Sequence, residues 1–426
     1  MVGLEVKEVR HLLGTSLAYA SVVKAEPWIF LTGHEAFDFA TGATDDLAGP
    51  PGFPMFGRPR WRREGDYILQ RMRRLLREFG SDLSHGVRLD QYYPTPAAVD
   101  PYHLARRAAF GDYIPPSTSV VMERCFGGES GISASLIAVM PSREYEIQKI
   151  YPTDVTAAAT SGFVPAIVCN DFVFVAGQMA SDRNHKLDPR AHVADHTRWG
   201  GTEIRKQTEF LILEKLRPAL EAAGSSLDRS VKAQVYIESA ADFADFIDVW
   251  QQYYSNIACA LTIVPTKSFA MVGGIIEINL MALTKTAKRE KEVIIADIPG
   301  MAAFGPCIRV GEFLLPSGLL AIGRDGHIIG KAVSPAFPGL AHAGYGQATA
   351  ITDYAEALCK AAGTSMAKVL RAQYFVSDIT AFAGIAMAWT SRFGAQPLPF
   401  VCVETPRATL APGAVVIADF WISTAE

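Results

Sequence analysis

The stretch FVFVAGQ at residues 172–178 is an apolar run that ends in a small residue, a glycine and a glutamine. The same order of residue types appears as WIFLTGH at 28–34 and as FLLPSGL at 313–319. A short apolar run closed by a turn signal predicts a buried strand that ends in a tight turn. Because the pattern comes three times at long intervals, the sequence predicts three tandem copies of one structural unit.

A second repeated stretch lies downstream of the first. AAGSSLDRSVKAQVYI begins at Ala222 and AAGTSMAKVLRAQYFV begins at Ala361, a shift of 361 − 222 = 139 residues. The first third of the chain offers FGSDLSHGVRLDQYY in the same register, with Arg88 in the place of Lys232. Three units of similar length, 1–146, 147–290 and 291–426, account for the chain, and the first of them is the most divergent.

Each unit combines helical and strand patterns. Apolar residues at spacings of three and four, followed by glycine at the helix C-terminus, predict helices at 66–79, 206–223 and 347–362. Second helices are predicted at 241–254 and 380–393. Strands with alternating apolar residues are predicted to close the units at 273–283 and 413–422, and linkers are predicted near 140–152 and 284–300. The predicted fold is α+β, with a mixed sheet and both helices of each unit on one face.

Composition excludes several functional classes. With 49% hydrophobic and 20% charged residues the chain is expected to be globular, and a net charge of −4 gives no basic footprint for nucleic acid. No apolar stretch has the length of a membrane span. The six cysteines show no metal-type spacing, which predicts reduced thiols, a cytoplasmic setting and no metal. The histidines at 185, 192 and 196 likewise follow no metal-binding motif, and no cofactor-binding motif is found.

The repeats resemble the RidA (YjgF, YER057c, UK114; L-PSP) superfamily. The middle copy carries the resemblance best, through FVFVAGQMASD, EAAGSSLDRSVKAQVYI and GGIIEINLMAL. The resemblance implies chorismate-mutase-like units that assemble around a threefold axis, with a ligand cleft at each interface. Three copies in one chain then imply a monomeric, intrachain pseudo-trimer whose clefts are free to diverge, with further self-association left open.

The resemblance also implies site residues. The aromatic residue that precedes the turn matches Tyr19, Phe163 and Phe304, and the turn itself contributes Thr32, Ser317 and Gly318. The family's substrate-clamping arginine matches Thr118, Thr262 and Cys402, and its acid matches Ser135, Asn279 and Asp419. Neither threonine nor cysteine supplies a planar, permanently charged fork, so the usual 2-imino acid substrate requires a cation from elsewhere in the chain.

Other residues are candidates on chemical grounds. Cys402 and Glu404 share one face of a strand in the third copy, and with Asp419, which the resemblance places on the neighbouring strand, they form the predicted catalytic group. A packed cysteine beside a solvated glutamate is the alternative. Lys267 and Arg407, five residues beyond the missing arginine, are candidate anion ligands or solvated edge charges. His34, after the first turn, is a candidate base or a surface or capping histidine. The basic run at 58–63 predicts a loop that covers an anionic ligand or a neighbouring domain face, or else a solvated loop.

Two classes of function follow. The first is a Rid-type hydrolase or deaminase that acts on an imine, enamine or amide C–N bond of a small anionic or cyclic metabolite at an interdomain cleft. The resemblance also admits aminomuconate-type deaminases and enzymes that hydrolyse chorismate. The second is a catalytically inactive protein that binds small molecules or acts as a scaffold. In both, the expected partner is a small molecule, without nucleic acid, membrane or cofactor.

Overall fold

Three mixed β-sheets build the protein. The computed structural model describes residues 4–42, 57–153, 155, 161–194, 196, 201–299, 305–330, 343–407 and 410–425. Each sheet has six or seven strands and packs against helices, which confirms the predicted α+β class. The second and third sheets begin at Ile147 and Lys291, the residues that open the second and third predicted units, although the unit limits themselves stay a prediction.

The first unit has nine elements. They are β1 (Glu5–His11), β2 (Ala18–Ala25), β3 (Trp28–Glu35), α1 (Arg60–Arg77), β4 (Gly86–Tyr93), α2 (Val99–Phe110), β5 (Ser117–Val121), β6 (Arg124–Cys125) and β7 (Ser133–Val139). Helix α1 begins before the predicted 66–79, so the loop predicted at 58–63 was wrong: the basic residues from Arg60 form its first turn. Arg60 donates to Glu64 at 2.8 Å, an i,i+4 pair that supports the extra turn.

The second unit repeats this order. It contains β8 (Ile147–Ile150), β9 (Ala166–Cys169), β10 (Phe172–Gln178), α3 (Glu203–Phe210), α4 (Arg217–Ala222), β11 (Ser230–Ile237), α5 (Phe243–Tyr254), β12 (Ala260–Pro265) and β13 (Ile276–Leu283). The single helix predicted at 206–223 is interrupted by a π-helical segment, Leu211–Leu216. Pro218 follows this segment and has no N–H for an i→i−4 bond, which disfavours a regular α-helix through this stretch.

The third unit contains β14 (Lys291–Ile294), β15 (Cys307–Val310), β16 (Phe313–Leu315), α6 (Ala343–Ala361), β17 (Val369–Val376), α7 (Phe382–Phe393), β18 (Phe400–Glu404) and β19 (Val416–Ser423). Strand β16 is short because Pro316 cannot donate a ladder hydrogen bond. The two predicted linkers also proved wrong in part. They contain the edge strands β8 and β14, whose exposed charged residues hid the strand pattern.

All three sheets have the same strand order. The first runs β1-β2-β3-β7-β4-β5, the second carries β8-β9-β10-β13-β11-β12, and the third carries β14-β15-β16-β19-β17-β18 with β6 of the first unit added at its edge. The last strand of each unit therefore lies inside its sheet. None of the described helices is long and apolar enough to cross a membrane.

The faces of the sheets that are not covered by helices meet around a pseudo-threefold axis. Trp28, Phe172 and Phe313, which open the three repeated runs, contact one another there. Their ring centroids are separated by 5.7 Å, 5.2 Å and 5.7 Å. The two pairs that include Trp28 are edge to face, an arrangement that is favourable for aromatic rings, and the third pair is tilted. The repeated sequence thus places one aromatic anchor per unit in a shared core.

Basic residues from the same position of each unit also point to this axis. Arg88 of the first unit donates to Gln234 of the second at 2.6 Å. Lys232 of the second unit donates to the carbonyl of Pro316 in the third at 3.0 Å. Arg371 of the third unit donates to Asp90 of the first at 2.6 Å. Each unit therefore holds the next one, and the ring closes within a single chain.

Candidate functional site

Each repeated turn faces the parallel strand of a neighbouring unit and so forms an interdomain cleft. A Cβ at Gly33 would lie 2.4 Å from the carbonyl oxygen of Phe400. The Gly318 amide donates to the carbonyl of Leu261 at 3.0 Å. Glycine is required at position 33 for two reasons: a Cβ would collide with the neighbouring backbone, and φ is +61°, a left-handed conformation that other residues rarely adopt. The three clefts are named below after Glu277, Arg71 and Gly318.

The Glu277 cleft lies between the first and second units. It has a volume of about 400 Å³, and Ser117 and Ser119 of β5 line one side of it. The second unit contributes Phe163, one of the predicted binding residues, and the turn at Gly177. Glu277 comes from β13 and belongs to the same lining. A carboxyl group, two hydroxyls and an aromatic ring therefore converge in one cleft.

The carboxyl group of Glu277 lies directly over the Gly177 turn. A Cβ at residue 177 would be 1.8 Å from Glu277 Oε1, so a side chain there would have to displace the carboxyl group. The Ser119 amide points to the same oxygen at 3.4 Å. Glu277 is only 5% exposed, and burial raises its pKa to about 8. The side chain is thus mainly protonated at neutral pH and ready to exchange a proton.

The remaining polar lining of this cleft includes an exposed acidic residue, Asp100, and the half-buried His185. His103 is buried, its ring nitrogens lack hydrogen-bond partners among the described residues, and burial lowers its pKa to about 2. Arg106 lies behind Ser117 and donates to Gln91 at 2.8 Å and to the Ser161 carbonyl at 2.6 Å. No lysine or arginine stands among the described residues that line this cleft. The lining suits a neutral ligand better than a carboxylate.

The Arg71 cleft lies between the third and first units and has a volume of about 620 Å³. It brings together two predicted residues, Tyr19 and Thr32, with Phe400 of the third unit. His34 is 1% exposed rather than at the mouth of the cleft, and its Nε2 lies 3.0 Å from the Ser21 carbonyl oxygen. Burial and the nearby Arg71 lower the pKa of His34 to about 3, so this histidine is neutral.

The Gly318 cleft lies between the second and third units and is mainly apolar. Its volume is about 460 Å³, and Trp250, Leu261 and Ile417 are typical of its lining. The predicted residue Ser317 is held by the backbone, since it accepts from the Leu261 amide at 2.9 Å and donates to the Pro306 carbonyl at 2.7 Å. The predicted Phe304 lies outside the described residues.

The structure separates the predicted catalytic group. Cys402 pairs with Tyr374 on β17, whereas Asp419 pairs with Gln373. Neighbouring residues of a strand point to opposite faces, so Cys402 faces the helices and Asp419 faces the axis. The expectation that β18 and β19 are neighbours was wrong, because β17 lies between them.

The pairing register of the parallel strands shows why the match of Cys402 to the family's arginine was wrong. Thr118 and Thr262 pair with Asp90 and Gln234 in the first two units. In the third unit the corresponding residue, Gln373, pairs with Val401. Val401, and not Cys402, therefore occupies the position that matches the family's arginine. Because alternate residues of a strand face opposite sides of the sheet, this difference of one residue places the Cys402 side chain on the other face.

The separated residues have other partners. Burial raises the pKa of the Cys402 thiol well above its usual range, which disfavours the thiolate. Glu404 accepts from the Ile379 amide at 3.0 Å. Lys267 pairs with Glu123 at 3.0 Å on the surface, and Arg407 is exposed. None of these four residues lines the three clefts described above.

Two prominent cleft residues were missed by sequence reasoning. Glu277 stands two positions before Asn279, which was matched to the family acid, and a carboxylate inside the otherwise apolar strand IIEINLMAL was the available signal. Arg71 lies on α1, and helical spacing alone does not show which neighbour a helix meets. Among the described residues, no three His, Cys, Asp or Glu side chains are placed to hold a metal ion.

Comparisons with known proteins point to one family. The family model described as endoribonuclease L-PSP matches residues 153–284. A RutC family protein of Pyrococcus horikoshii is 32% identical over 91 residues, which cover 21% of this chain and 63% of that protein. Protein HMF1 of Saccharomyces cerevisiae is 26% identical over 23% of this chain and 67% of its own length.

Solved structures give a similar picture of partial coverage. A yeast protein, YEO7, matches 33% of this chain and all of its own, at 24% identity and a TM-score of 0.28. A chorismatase matches 65% of this chain and 80% of its own, at 15% identity and a TM-score of 0.42. The chain spans 63% of the length of the archaeal RutC family relative. The match over residues 153–284 supports the resemblance of the repeats to the RidA/YjgF (L-PSP) superfamily.

Proposed function

We propose that the protein hydrolyses a C–N bond of a small imine or enamine in the Glu277 cleft. The observation that carries this proposal is the position of Glu277, a buried carboxyl group that lines the cleft beside the Gly177 turn. Its pKa of about 8 lies close to neutral pH, where a general acid and base is most effective. This residue replaces the group Cys402, Glu404 and Asp419 as the candidate for catalysis.

Glu277 supplies every proton transfer in the proposed reaction. The protonated carboxyl donates to the nitrogen of the C=N bond, and water then adds to the carbon as its proton passes to the carboxylate. The resulting carbinolamine takes a second proton from Glu277 on nitrogen. The C–N bond breaks, the hydroxyl proton returns to the carboxylate, and the products are a carbonyl compound and ammonia or an amine.

The lining favours a cyclic or otherwise neutral substrate. Hydroxyl groups of Ser117 and Ser119 and the apolar surfaces of Phe163 and Met271 surround the carboxyl group. A substrate carboxylate would enter without a guanidinium partner among the described lining residues, and its desolvation would be uncompensated. For this cleft we therefore prefer a cyclic, uncharged substrate to an anionic one.

The test compares two imines of similar size on the full chain. One is a cyclic imine without a carboxylate, and its hydrolysis is measured by the appearance of the carbonyl product. The other is a 2-imino acid generated in situ by an amino acid oxidase. We expect turnover of the cyclic imine to be faster. Glu277→Gln should reduce kcat/KM at least 100-fold, the scale of a general acid–base contribution. Glu221→Gln, at an exposed position of α4, is the matched control.

The pH profile separates catalysis from binding. If Glu277 acts first as an acid, kcat/KM should fall as pH rises above about 8, the pKa of its carboxyl group. Full activity of Glu277→Gln, or a profile without this limb, would contradict the proposal. A protein that binds such ligands without turnover is the second candidate, and the apolar lining of the Gly318 cleft is the observation in its favour.

A further inference from the structure

Two methionine side chains line the Glu277 cleft and take no part in the proton transfers proposed there. Met179 follows the Gly177 turn, and Met271 belongs to the hairpin between β12 and β13. Both residues are half-buried, so part of their surface is open to a ligand. A thioether side chain is apolar and polarizable, and its three rotatable bonds let it fit ligands of different shape. These methionines are therefore available to the part of a substrate that does not react.

Gly274 provides the space in which the ends of both side chains lie. A Cβ at residue 274 would be 2.4 Å from the methyl carbon of Met179 and 2.6 Å from that of Met271. The two methyl groups therefore lie side by side next to one glycine. Gly274 is outside the left-handed region of φ, so its conformation does not require glycine. The missing side chain instead makes room for Met179 and Met271, which are called the methionine pair below.

The hairpin that carries Met271 is weakly held between its ends. The Gln207 side chain fixes one end, since it donates to the Gly273 carbonyl at 2.8 Å. Within the described part of the chain, the backbone amides of residues 269–273 donate no hydrogen bond. Such segments move at a low cost in free energy. Val272 at the tip is 92% exposed, so a shift of the hairpin onto a bound ligand would remove apolar surface from water.

We propose that Met179 and Met271 determine the specificity of the Glu277 cleft by binding an apolar substituent of the substrate. This inference rests on the proposed function, which places the C=N bond at Glu277. It narrows the substrate class to uncharged imines or enamines that carry an aryl or alkyl group. That group lies against the methionine pair, and the hairpin adjusts the position of Met271 to its size.

Titration calorimetry on the full chain tests the methionine pair with two uncharged ketones, cyclopentanone and 2-phenylcyclopentanone. Neither has a C=N bond, so neither is hydrolysed, and both carry a carbonyl group that accepts from the protonated Glu277. We expect the Kd of 2-phenylcyclopentanone to be about tenfold lower, because its phenyl group buries apolar surface against the methionine pair. Met271→Ala should raise this Kd about tenfold and change the Kd of cyclopentanone less than about twofold. Met387→Ala, at an exposed position of α7, is the matched control and should change neither value.

Gly274→Ala tests the methionine pair without removing either side chain. The new methyl group displaces the flexible ends of Met179 and Met271, which yield easily, so the variant should fold. We expect the displaced side chains to raise the Kd of 2-phenylcyclopentanone about tenfold and that of cyclopentanone less than about twofold. Gly128→Ala is the control, since its Cβ would meet no described atom within 4 Å.

Three results would overturn the inference. They are equal affinity of the native protein for the two ketones, equal losses for both ketones in Met271→Ala, and no binding of either ketone up to millimolar concentration. The proposed function fails by a different result, full hydrolysis of the cyclic imine by Glu277→Gln. Because the ketones are not turned over, their affinities stay informative in that case too.

Discussion

Lys232 of the second unit and Asp419 of the third unit form an ion pair that is almost completely buried. The Nζ and Oδ2 atoms are 2.9 Å apart, and the two side chains are 1% and 0% exposed. Asp419 also accepts a hydrogen bond from Thr262. The residue that the family resemblance assigned to catalysis thus joins two units of the ring instead.

This pair should be important for stability. Removing one partner of a buried ion pair leaves an uncompensated charge and typically costs about 3–5 kcal/mol. We expect Lys232→Met to lower the free energy of unfolding by about that amount in urea titrations. Lys267→Met is the matched control, because Lys267 pairs with Glu123 on the surface and should cost at most about 1 kcal/mol. Similar losses in both variants would contradict this assignment.

Protonation of Glu277 should make stability depend on pH. An ordinary glutamate ionises near 4.5, whereas the folded chain holds this proton up to about pH 8. The folded state then binds more protons than the unfolded state between these values, so the contribution of Glu277 to stability falls as pH rises from about 4.5 to 8. Urea titrations of Glu277→Gln should show a smaller fall over this interval. An identical pH dependence in both proteins would place the raised pKa in doubt.

A side chain at the Gly177 turn should displace the carboxyl group of Glu277. In Gly177→Ala the new methyl group would occupy the space of the Glu277 carboxyl, which lies 1.8 Å from the expected Cβ. Displacement of a catalytic group by about 1 Å can reduce the rate about 100-fold, and we expect a loss of that order in kcat/KM. Gly128→Ala is a suitable control, since its Cβ would meet no described atom within 4 Å. Equal activity of the two variants would rule out the proposed role of the turn.

The cysteines should be unreactive in the folded protein. All six are buried, and burial raises the thiol pKa, for example to about 12 at Cys259. Because the thiolate is the reactive form, an aromatic disulfide reagent should label none of them in native buffer and all six in denaturant. Rapid labelling of Cys402 in the native state would restore it as a candidate nucleophile.

The aromatic contacts at the axis should hold the three units together. Trp28 is completely buried and lies 5.2 Å from Phe313, ring centroid to ring centroid. Trp28→Ala should destabilise the chain by about 3–5 kcal/mol, the usual cost of deleting a large core side chain. Trp61→Ala, at a half-buried position on α1, should cost less in the same urea titration. The reverse order would show that the axis contacts contribute little.

The sequence by itself determined the repeats, the α+β class and the approximate helices, because these depend on local periodicity and turn residues. FVFVAGQ and its two variants correctly located three strands and their turns. The tertiary structure decided which faces meet. In the third unit, the strand register places Val401 instead of Cys402 at the position that matches the family's arginine. The packing of the units also buries Glu277 beside Gly177 and brings Arg71 of α1 into a cleft. These outcomes depend on contacts between units that close only when the whole ring has formed, and no local pattern records them.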